Sequence, residues 1–461
     1  MSGLTHVKLI ASLGPASKDL ETIIKLVNAG ASGFRINFAH GDSNFWKSLA
    51  DNVRKAEEVT GKPLTLITDL EGSSIRLGEL PEPLTLRKGD VARLVPQQKV
   101  EEPGTIPFPN EKVLSELEEG DILVMDDGRV RLRVVKVSGS EVEVVALTDA
   151  VIKSRKGVVV QNKEFDLPVL TKKDLDDLKF ACRVGADYIG LSYVRNADNV
   201  RVLKELLKEI RCCAGVIAKI ETKSAVRNVE DIARVADVIL VARGDLGMNF
   251  GLEEIPRIQR RIVEASLRIG KPVIVATQLL ESMVENPVPT RAEVVDTYVA
   301  VSEGVDALML TGETAAGKYP VEAVKWLRRI VSKAEASESV RTYREGGPLK
   351  RRYAKGVAEL AEDLNAKIII YSSTGVTARH LASIRPSVPF YVAVPDMKVA
   401  RSINILWGVN TIITPTKNYE EGLEEAFKKL IRMDEISIGD LIVMTYGMKG
   451  EEQVIKVRRY V

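Results

Sequence analysis

Polar residues spaced two apart follow short apolar runs at four places in the chain. The pairs are Arg35 with Asn37, Asp69 with Glu71, Lys219 with Glu221, and Arg243 with Asp245. Residues two apart on a strand share a face, so each pair would project together from the end of its strand. One charged strand end is usually the solvated start of a loop, but repetition on several strands predicts convergence on one site.

These residue types favour a metal-assisted reaction of an anionic substrate. Glu221 and Asp245 supply hard oxygen ligands that suit Mg²⁺ or Mn²⁺ and leave positions for water and substrate. Lys219, Arg35 and Arg76 would place positive charge beside the metal, which a transferring phosphoryl group or an enolate requires. A structural network of ion pairs is the alternative interpretation.

Eight short apolar runs can position these residues. They span 8–13, 33–38, 64–69, 188–193, 215–220, 238–241, 273–276 and 307–310. Most are separated by stretches with helical periodicity, the spacing of βα units, which predicts an α/β fold built on a (β/α)₈ (TIM) barrel. An open, doubly wound sheet is the alternative that this spacing allows.

A long insertion separates the third run from the fourth. Within residues 78–166 the hydrophobic period changes to two, with turn signals between the runs, so we expect a small all-β domain there. It leaves the barrel at the end of the third strand, where barrel enzymes hold their active sites, and would serve as a lid. An insertion without a functional role is the alternative. The barrel itself would comprise 1–77 and 167–337.

A third domain is expected over 348–461, after a basic, turn-rich linker. Its alternation of β-rich and helical runs is typical of a compact α/β unit. One loop between a strand and a helix carries Ser372, Ser373, Thr374, Gly375 and Thr377. Hydroxyls and backbone N–H groups at a helix N-terminus can bind a phosphate group, and an ordinary helix cap explains the same residues equally well.

Composition excludes several classes of partner. Lys and Arg total 66 against 64 for Asp and Glu, a net charge of +2 that is too balanced for a protein that coats nucleic acid. Cys182, Cys212 and Cys213 lack the spacing of a zinc site. No apolar run reaches the ~18–20 residues of a membrane span, and no secretory segment is evident. We therefore expect a cytoplasmic protein that binds neither nucleic acid nor membrane.

The motifs resemble those of the pyruvate kinase family across nearly the whole chain. They include Ala218-Lys219-Ile220-Glu221, Val241-Ala242-Arg243-Gly244-Asp245-Leu246-Gly247, Ala276-Thr277-Gln278-Leu279-Leu280-Glu281, Gly312-Glu313-Thr314-Ala315 and Arg35-Ile36-Asn37-Phe38-Ala39-His40-Gly41. The resemblance implies Mg²⁺-dependent phosphoryl transfer from phosphoenolpyruvate to ADP, giving pyruvate and ATP. An abundance of Glu, Lys and Arg makes the chain look like an archaeal or thermophilic member.

The resemblance also implies roles for individual residues. Glu221 and Asp245 would hold Mg²⁺ (or Mn²⁺), and Lys219 would stabilise the phosphoryl group during transfer. Arg35 and Arg76 would bind phosphates.

Further roles carried over by the resemblance concern substrate, nucleotide and proton. Lys173 would bind phosphate, and His40 would lie near the nucleotide. The Gly244 backbone and the Thr277 side chain would contact the substrate. Thr277, through water and Glu313, would relay the proton to the product.

The positions that hold K⁺ in many family members depart from the usual pattern here. They read Asn37, Ala39, Asp69 and Leu70, so a serine hydroxyl ligand is replaced by alanine. Nearby, Glu71 and Ser74 replace the usual Lys and Glu, which leaves less negative charge for K⁺ to balance. We therefore predict that activity does not require K⁺, and that this K⁺ site is a remnant.

Regulation and assembly rest on the resemblance alone. The 372–377 loop resembles the family's effector-phosphate loop, but the segment 447–453 lacks the usual Gly/Thr/Asn-rich entry. A response to fructose bisphosphate is therefore not expected, and a smaller phosphorylated effector, or none, stays open. The resemblance implies a homotetramer.

Two other functions stay open on the sequence alone. A carbon–carbon lyase of the phosphoenolpyruvate or pyruvate barrel type would stabilise an enolate with the same metal and no ADP, although such an enzyme has no evident use for a lid. A catalytically silent metabolite sensor would report a ligand through the C-terminal domain. Such a sensor has no evident reason to retain Lys219, Glu221, Asp245 and Thr277.

Overall fold

A computed structural model of the chain describes residues 5–139, 141–337, 340–447 and 453–461. The barrel begins with three strands and two helices. In chain order these are β1 (Lys8–Leu13), α1 (Leu20–Ala29), β2 (Ala31–Asn37), α2 (Ser43–Thr60) and β3 (Thr65–Asp69).

The insertion after β3 folds around its own hydrophobic core, which includes Leu94, Phe108 and Leu132. Its elements are β4 (Leu84–Leu86), β5 (Val91–Val95), β6 (Thr105–Pro107), α3 (Glu111–Ser115), β7 (Ile122–Met125), β8 (Val130–Ser138), β9 (Glu141–Ala146), β10 (Ala150–Ile152) and β11 (Val159–Val160). The main sheet has the order β11-β7-β8-β9-β5-β6, and β10 pairs with β4. The expected all-β domain thus contains one short helix, because the Asn110 side chain caps its first turn through the Val113 N–H.

The barrel resumes after the insertion and ends in a long helix. Its elements are α4 (Lys172–Arg183), β12 (Tyr188–Leu191), α5 (Ala197–Glu209), β13 (Gly215–Ile220), α6 (Lys223–Arg227), α7 (Val229–Val235), β14 (Val238–Ala242), α8 (Arg243–Phe250), α9 (Ile255–Ile269), β15 (Val273–Ala276), α10 (Arg291–Ser302), β16 (Ala307–Leu310), α11 (Gly312–Ala315) and α12 (Pro320–Ser337).

Eight parallel strands close the barrel in the order β1-β16-β15-β14-β13-β12-β3-β2. Lys8 pairs with Ala307 where β1 meets β16, and Tyr188 pairs with Ile67 across the insertion. Strands buried on both faces read as continuous apolar runs, as in β14. The predicted barrel is confirmed, and the open-sheet alternative is wrong.

The C-terminal α/β domain has a five-stranded sheet of order β19-β18-β17-β20-β21, with β21 antiparallel at one edge. Its elements are α13 (Leu349–Asp363), β17 (Lys367–Tyr371), α14 (Val376–Ile384), β18 (Phe390–Val394), α15 (Met397–Ile403), β19 (Asn410–Ile413), α16 (Tyr419–Arg432), β20 (Leu441–Tyr446) and β21 (Ile455–Arg459). Residues 448–452 of the segment that departs from the family pattern lie outside the described residues.

A buried ion pair fixes this domain to the amino-terminal face of the barrel. Arg385 Nη2 lies 2.6 Å from Asp306 Oδ2, and both side chains are only 2% exposed. Asp306 also accepts hydrogen bonds from the backbone N–H groups of Val273 and Trp407. Buried charges are tolerated when paired and fully hydrogen-bonded, so this carboxylate joins two barrel strands to the second domain. Among the described residues, every helix is too short or too polar to cross a bilayer.

A disulfide joins Cys182, near the end of α4, to Cys212 in the segment that leads into β13. The two Cα atoms are 5.7 Å apart, and the residues are separated by 30 positions in sequence. Cys213 is an exposed free thiol. The sequence analysis considered the cysteines only as metal ligands and did not pair them, because pairing depends on how α4 and β13 meet in the barrel.

Replacing Cys182 by Ser should lower the thermal midpoint of the protein, since the disulfide restricts the unfolded chain. Chain entropy puts the loss at about 3–4 kcal/mol for a loop of this length. Calorimetry under oxidising conditions should show the lower Tm, and dithiothreitol should bring the unmodified protein to a similar value. Cys213→Ser should leave the Tm unchanged; an unchanged Tm for Cys182→Ser would contradict the pairing.

Candidate active site

Four side chains from neighbouring strands meet at the carboxyl end of the barrel. We call Arg35, Asp69, Lys219 and Glu221 the strand-end cluster. Lys219 Nζ lies 3.3 Å from Glu221 Oε2 and 3.9 Å from Asp69 Oδ2, and it donates a 2.8 Å hydrogen bond to Ser192 Oγ. The i, i+2 spacing therefore brings together the side chains that it predicted, with a cation between two carboxylates.

Arg35 completes the cluster by binding Asp69. Its Nε and Nη2 atoms lie 3.0 and 2.8 Å from Asp69 Oδ2. Asp69 Oδ1 is buried and has no hydrogen-bond partner. A Cβ atom on Gly190 would lie 2.0 Å from that oxygen, so only glycine leaves room for the carboxylate at this point of β12.

Glu221 is held in an environment that disfavours its charge. Burial and the neighbouring Asp245 raise the pKa of Glu221 to about 7, although Lys219 opposes the shift. The Tyr193 N–H donates to Glu221 Oε1, whereas Glu221 Oε2 is buried without a hydrogen-bond partner. The predicted strand at 188–193 ends early because Tyr193 adopts a left-handed φ of 53°, and this residue supplies the N–H group.

Lys219 keeps its proton although its side chain is largely buried. Burial lowers the pKa of an ammonium group, but the charges of Glu221, Asp69 and Asp245 outweigh that effect and raise the pKa of Lys219. The cluster therefore presents a permanent positive charge at the barrel mouth.

Asn249 links the two predicted metal ligands and was missed by the sequence analysis. Its side-chain amide donates to the backbone oxygens of Glu221 (2.9 Å) and Asp245 (3.1 Å). Asp245 lies in the first turn of α8, one helical turn before Asn249. That i, i+4 spacing was the available signal. The contact to Glu221 depends on how α8 packs beside β13.

Two carboxylates can hold a divalent cation here. The described residues contain no cluster of three or more His, Cys, Asp or Glu side chains placed to bind one ion. Glu221 and Asp245 nevertheless fit Mg²⁺, which commonly uses one or two carboxylates and completes its shell with water and substrate. Glu221 Oε2 accepts no hydrogen bond and lies 3.3 Å from the Lys219 ammonium, and the neighbouring charge of Asp245 contributes to the raised pKa of Glu221, so a cation bound by both carboxylates would be stabilised.

Thr277 is placed by an unusual backbone conformation that Arg243 stabilises. Thr277 and Gln278 have φ values of 70° and 51°. The Arg243 guanidinium donates to both of their backbone oxygens and pairs with Asp296. Arg243 thus points away from the cluster, while Thr277 Oγ1 faces the opposite side and accepts a 2.8 Å hydrogen bond from the Gly244 N–H.

Glu313 is fully buried, and both carboxylate oxygens accept backbone hydrogen bonds. The donors are Leu280 N–H at 3.0 Å and Thr311 N–H at 2.7 Å. This arrangement ties the loop after β15 to the end of β16. Glu313 thus holds these two segments together, and its expected part in the proton relay stays a prediction.

Arg76 and Lys173 converge on the carboxylate of Glu71 beneath the insertion. Arg76 Nε is 3.1 Å from one oxygen, and Lys173 Nζ is 3.7 Å from the other. Arg76 also reaches the backbone oxygen of Arg155 in the inserted domain, so this side chain bridges barrel and insertion. Burial, followed by the charges of Arg76 and Arg35, lowers the pKa of His40, which is therefore neutral near pH 7.

Most of the oxygens expected at a K⁺ site accept hydrogen bonds from protein donors, and Asp69 Oδ1 is the exception. Asn37 Oδ1 accepts the Ala39 N–H at 3.2 Å, and the Leu70 backbone oxygen accepts the Ser192 hydroxyl at 2.8 Å. Asp69 Oδ2 is bound by Arg35. The positive charge beside Asp69 therefore comes from a side chain.

The predicted effector loop lies in the C-terminal domain, apart from the strand-end cluster. Gly375 has a φ of 80° at the start of α14, and the Ser373 and Tyr419 hydroxyls lie 3.1 Å apart. The loop residues Ser372, Ser373, Thr374 and Thr377 border a cavity of about 220 Å³, together with Lys350 and His380. We call this the loop cavity.

Comparison with known proteins gives consistent matches over the whole chain. Residues 4–324 match the family model "Pyruvate kinase, barrel domain", and residues 352–457 match "Pyruvate kinase, alpha/beta domain". The pyruvate kinase of Pyrobaculum aerophilum is 40% identical over 98% of this chain and 96% of its own length. That of Aeropyrum pernix is 39% identical over 98% of both chains.

Solved structures show the same likeness. The crystal structure of the pyruvate kinase from Pyrobaculum aerophilum superposes with a TM-score of 0.87, at 38% identity, over the full length of both chains. That of a pyruvate kinase from Cryptosporidium parvum gives a TM-score of 0.91, at 28% identity, over 99% of this chain and 96% of that one.

Infrared difference spectra of the metal-free protein should reveal a carboxyl group that titrates near pH 7 and is absent from Glu221→Gln. Asp245→Asn should lower this pKa by removing a negative charge, and Lys219→Met should raise it by removing a positive one. A titration near the ordinary 4.5 would contradict the assignment.

The raised pKa of Glu221 also determines whether the stability of the protein rises or falls with pH. Because the pKa of Glu221 is higher in the folded protein, the folded state binds more protons than the unfolded chain between pH 4.5 and about 7. The stability of the metal-free protein should therefore fall as the pH rises through this window, and Glu221→Gln should flatten the fall.

Proposed function

The chain belongs to the pyruvate kinase family, whose reaction moves a phosphoryl group from phosphoenolpyruvate to ADP, and we propose that its strand-end cluster performs this transfer with a divalent cation and without K⁺. The observation that carries the proposal is the buried Lys219 ammonium, 3.3 Å from the otherwise unpartnered Glu221 Oε2. Phosphoryl transfer needs positioning and neutralisation of charge more than covalent catalysis, and the cluster supplies both.

The cations of the cluster stabilise the transferring group. Lys219 and Arg35 face the barrel mouth with fixed positive charge, so they lower the energy of the negative charge that spreads over the phosphoryl oxygens. Mg²⁺ or Mn²⁺ bound by Glu221 and Asp245 would add a Lewis acid next to the phosphoryl and enolate oxygens. Asn249 holds the backbone of both carboxylate residues and so fixes their separation.

Thr277 and Gly244 bind the other end of the substrate in this proposal. The Gly244 N–H donates a hydrogen bond to Thr277 Oγ1 in the free protein, and it can donate instead to a substrate carboxylate. Once the phosphoryl group has left, the enolate must gain a proton at C3 to become pyruvate. In this proposal the Thr277 hydroxyl, whose backbone is held by Arg243, relays that proton from water to C3. Glu313 would join the relay, and it holds the adjoining loop in position.

The phosphates of ADP would bind between barrel and insertion. Arg76 pairs with Glu71, whereas Lys173 lies 2.6 Å from Asp177 and 3.7 Å from Glu71. Both cationic side chains are partly exposed, so they can exchange these partners for phosphate oxygens. The neutral imidazole of His40 beside Arg76 suits a contact with nucleotide. Movement of the insertion as a lid would exclude water that could otherwise intercept the phosphoryl group.

Assembly and regulation complete the proposal. Val295 and Val299 lie one turn apart on α10 and are 62% and 40% exposed, and Val288 nearby is 55% exposed. This apolar surface supports contact between subunits of a homotetramer. The loop cavity would take a phosphorylated effector, if one exists for this protein. We also propose a cytoplasmic location; intracellular proteins of hyperthermophiles are a known exception to the rarity of disulfides there.

Lys219→Met should lower the rate of pyruvate formation from phosphoenolpyruvate and ADP by about a hundred- to a thousandfold, since one preorganised charge is worth roughly 3–4 kcal/mol in such sites. The measurement is a coupled assay for pyruvate with Mg²⁺ in K⁺-free buffer. Lys25→Met, at an exposed lysine on α1, is the matched control and should retain full activity. Comparable rates for both variants would contradict the catalytic role proposed for Lys219.

Replacing tetramethylammonium by K⁺ at constant ionic strength should change the turnover less than about twofold. The physical reason is that Arg35 and Lys219 already balance the charge of Asp69. Initial rates across a K⁺ titration test this. A stimulation of tenfold or more would show that K⁺ binds despite Ala39, and the proposal of independence would be withdrawn.

A further inference from the structure

A second concave site lies at the opposite end of the barrel from the strand-end cluster. It is a cavity of about 1130 Å³ between the amino-terminal face of the barrel and the C-terminal domain. The end of α4, the segment before β13, and the helices α14 and α15 form its walls. We call it the cationic cleft.

Positive charge dominates the lining of this cleft. Its cations are Lys179, Arg183, Arg211, Arg379, Lys398 and Arg401. The acidic residues of the lining are Asp187 and Asp237, and each already has a cation from outside the cleft. Arg54 lies 2.9 Å from Asp187, and Lys204 lies 2.8 Å from Asp237. Two of the cations are likewise paired with carboxylates outside the cleft, Arg401 with Glu57 and Lys179 with Asp176. Arg183, Arg211, Arg379 and Lys398 remain, so the cleft carries an excess of cations, although the whole chain has a net charge of only +2.

Arg379 is the most enclosed of these cations and has only neutral partners. Its guanidinium donates at 3.0 Å to the Tyr188 hydroxyl and at 3.0 Å to the Ser402 backbone oxygen. Over the described ranges, no carboxylate lies within ion-pairing distance of Arg379, Arg211 or Lys398. A guanidinium group that is shielded from water and has no ion-pair partner favours the binding of an anion whose oxygens can accept hydrogen bonds from its parallel N–H groups.

A disulfide in the wall of the cleft connects the backbone segments that carry two further arginines. The disulfide links Cys182, next to Arg183, to Cys212, next to Arg211. Two helix-turn segments that would otherwise move independently thus present their guanidinium groups to one space. Preorganised cations lose little side-chain and backbone freedom when a ligand binds, which raises affinity.

We propose that the cationic cleft binds a small, multiply charged anion of the phosphate class. The cleft lies apart from the strand-end cluster and borders the loop cavity at Ser373 and Thr374, but its cations are different residues from the Lys350 and His380 of the loop cavity. The volume admits an organic phosphate, and the arginine forks match phosphate oxygens. This inference goes beyond the proposed function and does not depend on it, because no catalytic step is involved.

Titration calorimetry of the full-length, metal-free protein with inorganic tripolyphosphate tests the proposal. Arg211→Ala combined with Lys398→Ala removes two exposed cleft cations, so folding should be unaffected and affinity should fall at least tenfold. Lys350→Ala, in the loop cavity, and Arg76→Ala, at the barrel mouth, are the matched controls: each weakens binding at its own site only, so binding to the cleft should retain the wild-type affinity.

The outcomes that would overturn the proposal are distinct. An absence of binding up to millimolar tripolyphosphate would show that the cleft has no such ligand class. Unchanged affinity in the double variant would also reject it, and loss of binding in Lys350→Ala or Arg76→Ala alone would assign the anion to the loop cavity or the barrel mouth.

Discussion

A buried ammonium group between two carboxylates is the interaction on which the barrel mouth depends. Lys219 can stay charged without water only because Glu221 and Asp69 lie beside it, and Asp69 in turn needs Arg35. The arrangement explains why Gly190 can have no side chain and why Ser192 is oriented by two hydrogen bonds. Removing any one charge leaves another buried and uncompensated, so the group works as a unit.

The sequence predicts those features of the site that depend on residues close together in the chain. The period of two along β13 was sufficient to place Lys219 and Glu221 on one face, and repetition of βα spacing was sufficient to predict the barrel. Arg243 shares the same spacing with Asp245, yet its guanidinium turns to Thr277 and Gln278. Their left-handed backbone could not be read from residue types that rarely adopt it.

Contacts between elements distant in the chain were beyond prediction for the same reason. The contacts that Asn249 makes with the Glu221 backbone, and Glu313 with the Leu280 backbone, involve backbone groups that carry no residue-specific signal in sequence. The cationic cleft is formed by segments from two domains, so its charge excess is invisible in a composition that is almost neutral. Cys182 and Cys212 become neighbours only when α4 packs against the segment before β13.

The insertion after β3 also has a consequence for how the chain reaches its native state. β3 and β12 are neighbours in the barrel, but their pairing of Ile67 with Tyr188 must wait until the whole inserted domain has been synthesised. Pairing of Lys8 with Ala307 requires a still longer loop to close. The inserted domain has a core of its own and mostly local strand pairs, so it can form first and shorten the effective loop between β3 and β12. The inserted domain, which contacts the barrel through Arg76 and Arg155, would then also act earlier, as a folding unit that brings two distant strands within reach.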